Sequence, residues 1–373
     1  VTDVDKELIT LKQKLIYEEY VLINKRNKYL LKYFRKFIKN NQCFKNMKLS
    51  EINYGEHVII YNKIKITIEI YNDFMKLLGQ LFKLQMRNNN LTYRGHANAN
   101  YQLVSSLLRE EENLQNEDKI YFDIIKAFPE KFSNARYHLD YLKTIQHYNG
   151  KTRIMDLTTN FLIALYFATS SNNEVLGELI IFDKNIDKHL LEKFGPRYIK
   201  KVKRLNSDTI EILASLAALD YESKESIEAH AHSSSTFIDS NPINEFQYIE
   251  IFNEYENVQR LVHEVGQVRL NFLPKIDPRH LLDVYFSDST FDNERITNQA
   301  GEFIIHGLLP KNKVMKKLNK YRYKAEGKKR IILIDNKAKN DMLEHLQILN
   351  IKESTIYPSL ENTIKEIYKN YQS

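Results

Sequence analysis

Leu8, Leu11, Leu15, Tyr20, Leu22, Ile23, Leu30, Leu31, Phe34 and Phe37 recur at near-helical intervals, with Lys and Arg between them and no proline. Residues 1–48 therefore read as a helical hairpin. From His57 to Ile70 the pattern becomes β-branched and alternating, HVIIYNKIKITIEI, which predicts one or two strands. NDFMKLLGQLFKLQM then predicts a helix capped by Asn72. LTYRGH, residues 91–96, alternates as a short strand, Ser105 or Ser106 can start a helix, and residues 115–145 continue in helical style.

The middle of the chain has the clearest internal grammar. QHYNGK reads as a turn, TRIMDL as an extended run, Thr158 or Thr159 as an N-cap, and FLIALYFAT as a buried helix. GELIIFD is apolar enough for a strand covered on both faces. Residues 186–232 read as mostly helical and end in HAHSSS. QVRLNFLP, HLLDVYF and GEFIIHGLL supply further strands, followed by a basic patch (KKLNKYRYKAEGKKR), a strand (IILID), a helix (KNDMLEHLQIL) and a last helix after YPSLE. Strands and helices mixed without βαβ alternation predict an α+β fold. The expected organisation is a helical extension over 1–50 and one domain over 51–373. Its core motifs lie in 91–310, and a C-terminal strand and helices in 311–373.

Composition narrows the class. With 43% hydrophobic and 28% charged residues the chain is globular and long enough for a large core. Cys43 is the single cysteine, so neither an internal disulfide nor a cysteine metal cluster can be built. No apolar run is long enough for a membrane span and no secretory leader is legible, so the expectation is a cytoplasmic protein without membrane contact. Lys and Arg outnumber Asp and Glu by 17 to 9 over residues 1–90 and by 15 to 7 over 311–373, whereas 91–310 carry 23 against 32. Basic ends of this kind attract nucleic acid, an anionic surface or an acidic partner; a bias toward Lys, Asn, Ile and Tyr along the whole chain offers a simpler origin.

Three polar clusters carry the candidate chemistry. Arg94 in LTYRGH is either a solvated arginine at a strand end whose Gly95 permits a turn, or a site arginine beside a glycine that lets a ligand come close. QHYNGKTRIMDLT gathers Gln146, His147, Thr152, Arg153, Asp156 and Thr158 before an apolar helix. Such groups must be hydrogen-bonded or face a ligand, since each unsatisfied one costs roughly 1–3 kcal/mol. The structural alternative is an Arg153–Asp156 pair with a Thr158 cap. In a site, Arg153 would hold a phosphate or carboxylate, His147 would move protons, and the helix N-terminus would favour an anion. In ERITNQAGEFIIHG, Gln299 and Gly301 precede a strand that starts at Glu302, either a solvated strand end or a proton acceptor. His230 and His232, two apart with no further ligand at metal spacing, read as surface histidines, and no metal site is expected. Phosphate-loop, GxGxxG, HExxH, CxxC and GxSxG motifs are absent.

These residues carry a resemblance. YRGHANANYQLVSSLLR resembles the opening of the FRG domain, named for its aromatic-Arg-Gly motif. QHYNGKTRIMDLTTNFLIALYFA is similar to that family's Gln-His-aromatic-Gly segment with its Thr-Arg-Leu-Leu-Asp-Trp-Thr. RITNQAGEF and LNIKESTIYPSLE resemble its later segments. Lys151 stands where the family has Pro, Leu157 where it has Trp, and Asn149 and Gly150 replace the turn glycine and its follower. Asn tolerates the left-handed conformation such a turn takes.

A second resemblance is to ADP-ribosyltransferases of the Arg-Ser-Glu type, in the order Tyr93-Arg94-Gly95, then Asp156-Leu157-Thr158 before the apolar helix, then Gln299 to Glu302. It implies a split mixed or antiparallel sheet flanked by helices, with NAD as co-substrate. Catalysis then falls to Arg94, His147, Asp156 and Glu302, and cofactor binding to Tyr93, Gly95, Gln146, Arg153, Thr158 and Gln299. The implied function is a microbial toxin or phage-defence effector that takes a nucleotide ligand and a protein or nucleic-acid acceptor, with a partner or antitoxin protein. Rival readings are a non-catalytic module sensing a nucleotide or phage component, and a nucleic-acid-binding effector.

Overall fold

The computed structural model of the chain describes residues 48–53, 56–61, 64–184, 208–270, 272–288, 298–325 and 328–372. The helical pattern of residues 1–47 and the first part of the 186–232 segment lie outside them. Within them the expected α+β class is observed.

Strands β1 (Lys48–Asn53), β2 (Glu56–Tyr61), β3 (Ile64–Tyr71), β4 (Leu91–His96), β5 (Ile154–Thr158), β6 (Gly177–Asp183), β7 (Val284–Asp288), β8 (Gly301–His306), β9 (Lys324–Ala325) and β10 (Lys328–Ile334) join in one sheet. Its order is β1-β2-β3-β10-β6-β4-β5-β8-β7, with β9 beside β10. β3 and β10 run parallel, and the other pairs are antiparallel. The HVIIYNKIKITIEI alternation becomes the β2–β3 hairpin.

Period-two alternation sends the two sides of β6 into different cores. Leu179 and Ile181 join a cluster with α1 (Phe74–Arg87), α4 (Phe161–Thr169) and α9 (Lys339–Ile348), built on Leu77, Leu81, Ala164 and Met342. Ile180 and Phe182 join a larger cluster that takes in α2 (Glu117–Ala127), α3 (His138–His147), α5 (Tyr221–Ser240), α6 (Glu245–Glu254), α7 (Glu256–Val268) and α8 (Lys311–Tyr321). With an apolar core on each side, GELIIFD is buried along almost its whole length, as its composition predicts.

Several element ends differ from expectation for local reasons. The cap of α1 is Asp73, whose carboxylate accepts from Lys76 N, rather than Asn72. The cap of α4 is Asn160, whose side chain accepts from Leu162 N. Thr158 is the last residue of β5 and Thr159 lies in the bend that follows, and the Thr158 hydroxyl ties β5 to the Gln299 carbonyl at 2.7 Å. QVRLNFLP ends α7 rather than forming a strand in its described residues, and HAHSSS lies inside α5, which runs on to Ser240. Residues 48–50 belong to β1, inside the segment expected to be a helical extension.

One junction in the sheet is nearly open. β4 pairs with β6 along its whole length, and β5 with β8 along its whole length, but β4 and β5 meet only at Tyr93 and Thr158. Helix α4 is pressed against the β4–β6 side of this seam. A Cβ at Gly95 would lie 1.9 Å from the Ala164 carbonyl oxygen, and one at Gly177 would lie 2.4 Å from that of Ala168. The bare face of Gly95 is therefore filled by helix backbone, which corrects the expectation that this glycine makes room for a ligand.

Candidate functional site

The seam holds a cavity of about 140 Å³. Tyr93, Arg94 and Gly95 line it from β4, and Asp156, Leu157 and Thr158 from β5. Phe167 from α4, Gln299 and Tyr357 close it, and the Phe167 and Tyr357 rings meet edge to face at 6.1 Å. A second small cavity of about 50 Å³ shares Asp156, Leu157 and Gln299 with the first, and adds Gln146, His147, Lys143 and Glu302.

Register fixes which side chains share a face. Tyr93 faces Thr158, so Arg94 lies level with Leu157, and Leu157 pairs with Glu302. Arg94, Leu157 and Glu302 thus form a row on one face of three neighbouring strands, spanning roughly 10 Å of backbone. Asp156 and Thr158 alternate to the other face, as does Tyr93.

Arg94 bridges the seam. Its Nη1 donates to the Asp156 carbonyl oxygen at 2.5 Å, and its Nε donates to His96 Nε2 at 3.1 Å. Burial lowers the guanidinium to about 10, partly offset by the Asp156 charge, so it stays cationic at neutral pH. His96 is held neutral, well below its usual value, by burial and then by Arg94, Arg322 and Arg109. Neutral His96 can accept from Arg94, which leaves its buried Nδ1 without a partner. The expected alternative of a solvated Arg94 at a turn is therefore not what forms: β4 continues through Gly95 to His96.

Glu302 is mostly buried. Its Oε1 accepts from Lys184 Nζ at 2.5 Å, and its Oε2 is buried without a partner. Just before it, Ala300 adopts φ 44, a left-handed conformation that costs a non-glycine residue of order 1–3 kcal/mol. That turn places the Ala300 carbonyl where Thr159 N donates to it at 3.0 Å. Gln299 is anchored through Nε2 to the Ile356 carbonyl. Gln146 accepts from the Thr152 hydroxyl at 3.1 Å, and Asn149 takes φ 62 at the C-terminal end of α3, the conformation expected of it.

Arg153 leaves this group. It is 1% exposed and pairs with Glu117, through Nε at 2.8 Å and through Nη2, while its Nη1 donates to the His306 carbonyl. The Arg153–Asp156 pair expected from their spacing does not form, because adjacent strand geometry turns the Arg153 side chain toward α2. The N-terminus of α4, expected to favour an anion, is closed by the Asn160 cap. His230 stacks on Tyr255 and His232 faces Glu228; among the described residues no group of three or more His, Cys, Asp or Glu is arranged to hold a metal. Lys184, Phe167 and Tyr357 were not singled out by sequence reasoning. Lys184 follows GELIIFD directly, and only strand order brings it to Glu302.

Residues 89–175 match the family model of the FRG domain, so the chain carries an FRG domain there. The match contains Arg94, Gln146, His147, Arg153, Asp156 and Thr158, and it leaves Gln299 and Glu302 outside. No curated protein and no solved structure matches the chain. Among the described residues no helix is long and apolar enough to cross a membrane.

Proposed function

We propose that the seam is the NAD site of an ADP-ribosyltransferase-like enzyme, with the nicotinamide end held between β4 and β5. The observation that carries this reading is the row Arg94–Leu157–Glu302 on adjacent strands at the one nearly unpaired junction of the described sheet. The cavity of about 140 Å³ is close to the ~150 Å³ that accommodates a benzene-sized ring, and its aromatic walls suit a nicotinamide.

Arg94 holds a ribose or pyrophosphate oxygen, because a planar guanidinium fork matches such acceptors. Glu302 uses its unpartnered Oε2 to stabilise positive charge at the ribose C1′ as the bond to nicotinamide breaks and the electron pair departs with the ring. Gln299 and Thr158 shape the ring pocket, and Asp156 and His147 border the path of the incoming nucleophile. That nucleophile, a group on a macromolecule or water, bonds to C1′ and loses its proton to Glu302 or His147. An enzyme that consumes NAD in this way would serve as a toxin or phage-defence effector, with a partner protein to restrain it.

The direct test is to incubate the protein with NAD labelled in the adenylate moiety, with and without cell extract, and to follow both nicotinamide release and transfer of label. Release that depends on Arg94 and Glu302 supports the reading. No release and no transfer would remove it.

A further inference from the structure

A cavity larger than the one at the seam lies elsewhere among the described residues. About 670 Å³ opens between the end of β8, the first turn of α8 and the side of α5, a volume within the usual range for a small-molecule site. Its floor is a buried charge cluster with an unequal count. Glu117 accepts from Arg153 and from Lys224 Nζ at 2.9 Å, and all three side chains are at most 5% exposed. Two cations thus share one carboxylate. Burial alone would raise Glu117, but the two cations hold it below its usual value. His306, which accepts or donates to Ser105 at 2.8 Å, cannot supply the missing negative charge and is kept neutral by burial and by Arg153.

A buried positive charge without a counter-charge is costly, and proteins ordinarily compensate it with an anion. Arg153 and Lys224 both border the cavity, so the compensating group has room to enter there. Arg109 and Lys311 line it as well. The first turn of α8 has no acidic residue and no capping side chain and adds to the same positive potential. Glu110, Glu111, Glu225 and Glu228 line the cavity as well, less buried than Arg153 and Lys224. Glu110 is engaged by Lys151, Glu228 faces His232, and Glu225 is exposed. A polyanion would meet these carboxylates, whereas a ligand with one phosphate directed inward would not. Leu114, Tyr221 and Met315 offer an apolar wall for the rest of such a molecule.

We infer that this cavity is a second ligand site, separate from the seam, and that it takes a phosphomonoester of mononucleotide size with its phosphate directed at Arg109, Lys311 and the Arg153–Lys224 floor. The residues that line this cavity and those that line the seam do not overlap.

The experiment is calorimetric titration of the full chain with AMP, adenosine and inorganic phosphate, on wild type, the Arg109→Ala/Lys311→Ala double variant and Arg94→Ala. Arg109 is exposed and Lys311 half-buried, so the double variant should keep its fold, which circular dichroism and thermal melting verify. AMP is expected to bind one to one, adenosine at least about tenfold more weakly, and the double variant at least about tenfold more weakly than wild type. Arg94→Ala should bind AMP as wild type does. Absence of AMP binding at millimolar concentration overturns the proposal, as does equal binding of AMP and adenosine. Loss of AMP binding in Arg94→Ala with retention in the double variant would assign the nucleotide to the seam and overturn it too.

Discussion

Arg94 reaches across an interrupted strand pair to the backbone of Asp156, 2.5 Å from its carbonyl oxygen, and so does with a side chain what the β4–β5 ladder does not do with amides. The same guanidinium is the cation of the proposed NAD site. Arg94→Lys keeps a charge but loses the fork and the Nε contact to His96. Nicotinamide release should drop by about 10²–10³-fold, and stability in urea by about 1 kcal/mol. Full activity in this variant would contradict the role given to the residue.

Glu302 separates a chemical role from a structural one. In Glu302→Gln the side-chain carbonyl can still accept from Lys184, so the melting temperature should change little. Nicotinamide release should fall by at least about 10²-fold, because a neutral amide does not stabilise positive charge at C1′. A variant that melts early, or one that turns over normally, would place Glu302 outside the chemistry.

Three glycines should behave in opposite ways. Gly95→Ala and Gly177→Ala push a Cβ into the carbonyls of Ala164 and Ala168 and should destabilise by about 1–3 kcal/mol each. Gly79 lies in α1 with open space where a methyl group would project, so Gly79→Ala should stabilise by roughly 0.5–1 kcal/mol. Urea midpoints of the three variants decide the matter.

Acid should weaken the fold from about pH 6.5 downward. His96, His138, His280 and His306 are all lowered by burial, His306 to about 4. Between 6.5 and 4 the unfolded chain binds protons that the folded chain does not, so stability rises with pH there and is lost as pH falls. Glu211 acts in the opposite sense. Burial raises it to about 7, so between its ordinary value and 7 the folded state holds the extra proton and gains stability as pH falls. Urea midpoints at pH 7.5 and 5.5 should show a decline in wild type and a steeper one in Glu211→Gln.

Glu117 is the carboxylate that Arg153 and Lys224 share, so Glu117→Gln leaves two buried cations without it. The loss should be about 3–5 kcal/mol, larger than for any exposed ion pair such as Lys365–Glu361. AMP bound at the phosphomonoester site should restore part of that stability, readable as a rise in melting temperature.

Local order was legible in the chain wherever adjacent residues alone carried the pattern. The helix Phe161–Thr169, the strand Gly177–Asp183 and the positive φ of Asn149 all follow from residues within a few positions of each other. Caps were harder, because Asn72 and Asp73, or Thr158 and Asn160, are chemically equivalent candidates one or two residues apart. Arg153 was harder still. Asp156 is only three positions on in the chain, yet its partner Glu117 lies 36 residues away, and only the packing of α2 near the start of β5 presents that carboxylate to it.

What the sequence alone determined is therefore the class of the fold, most of its elements, and the three polar segments from which the candidate site is made. Tertiary structure decided which members of those segments meet. Arg94 and Glu302 share a face because Tyr93 is registered with Thr158 and Leu157 with Glu302, and a slip of one residue in either pairing would put them on opposite sides of the sheet. Hydrophobic periodicity is set by neighbours along the chain, whereas register is set by contacts between segments that are distant in sequence, and the site depends on register.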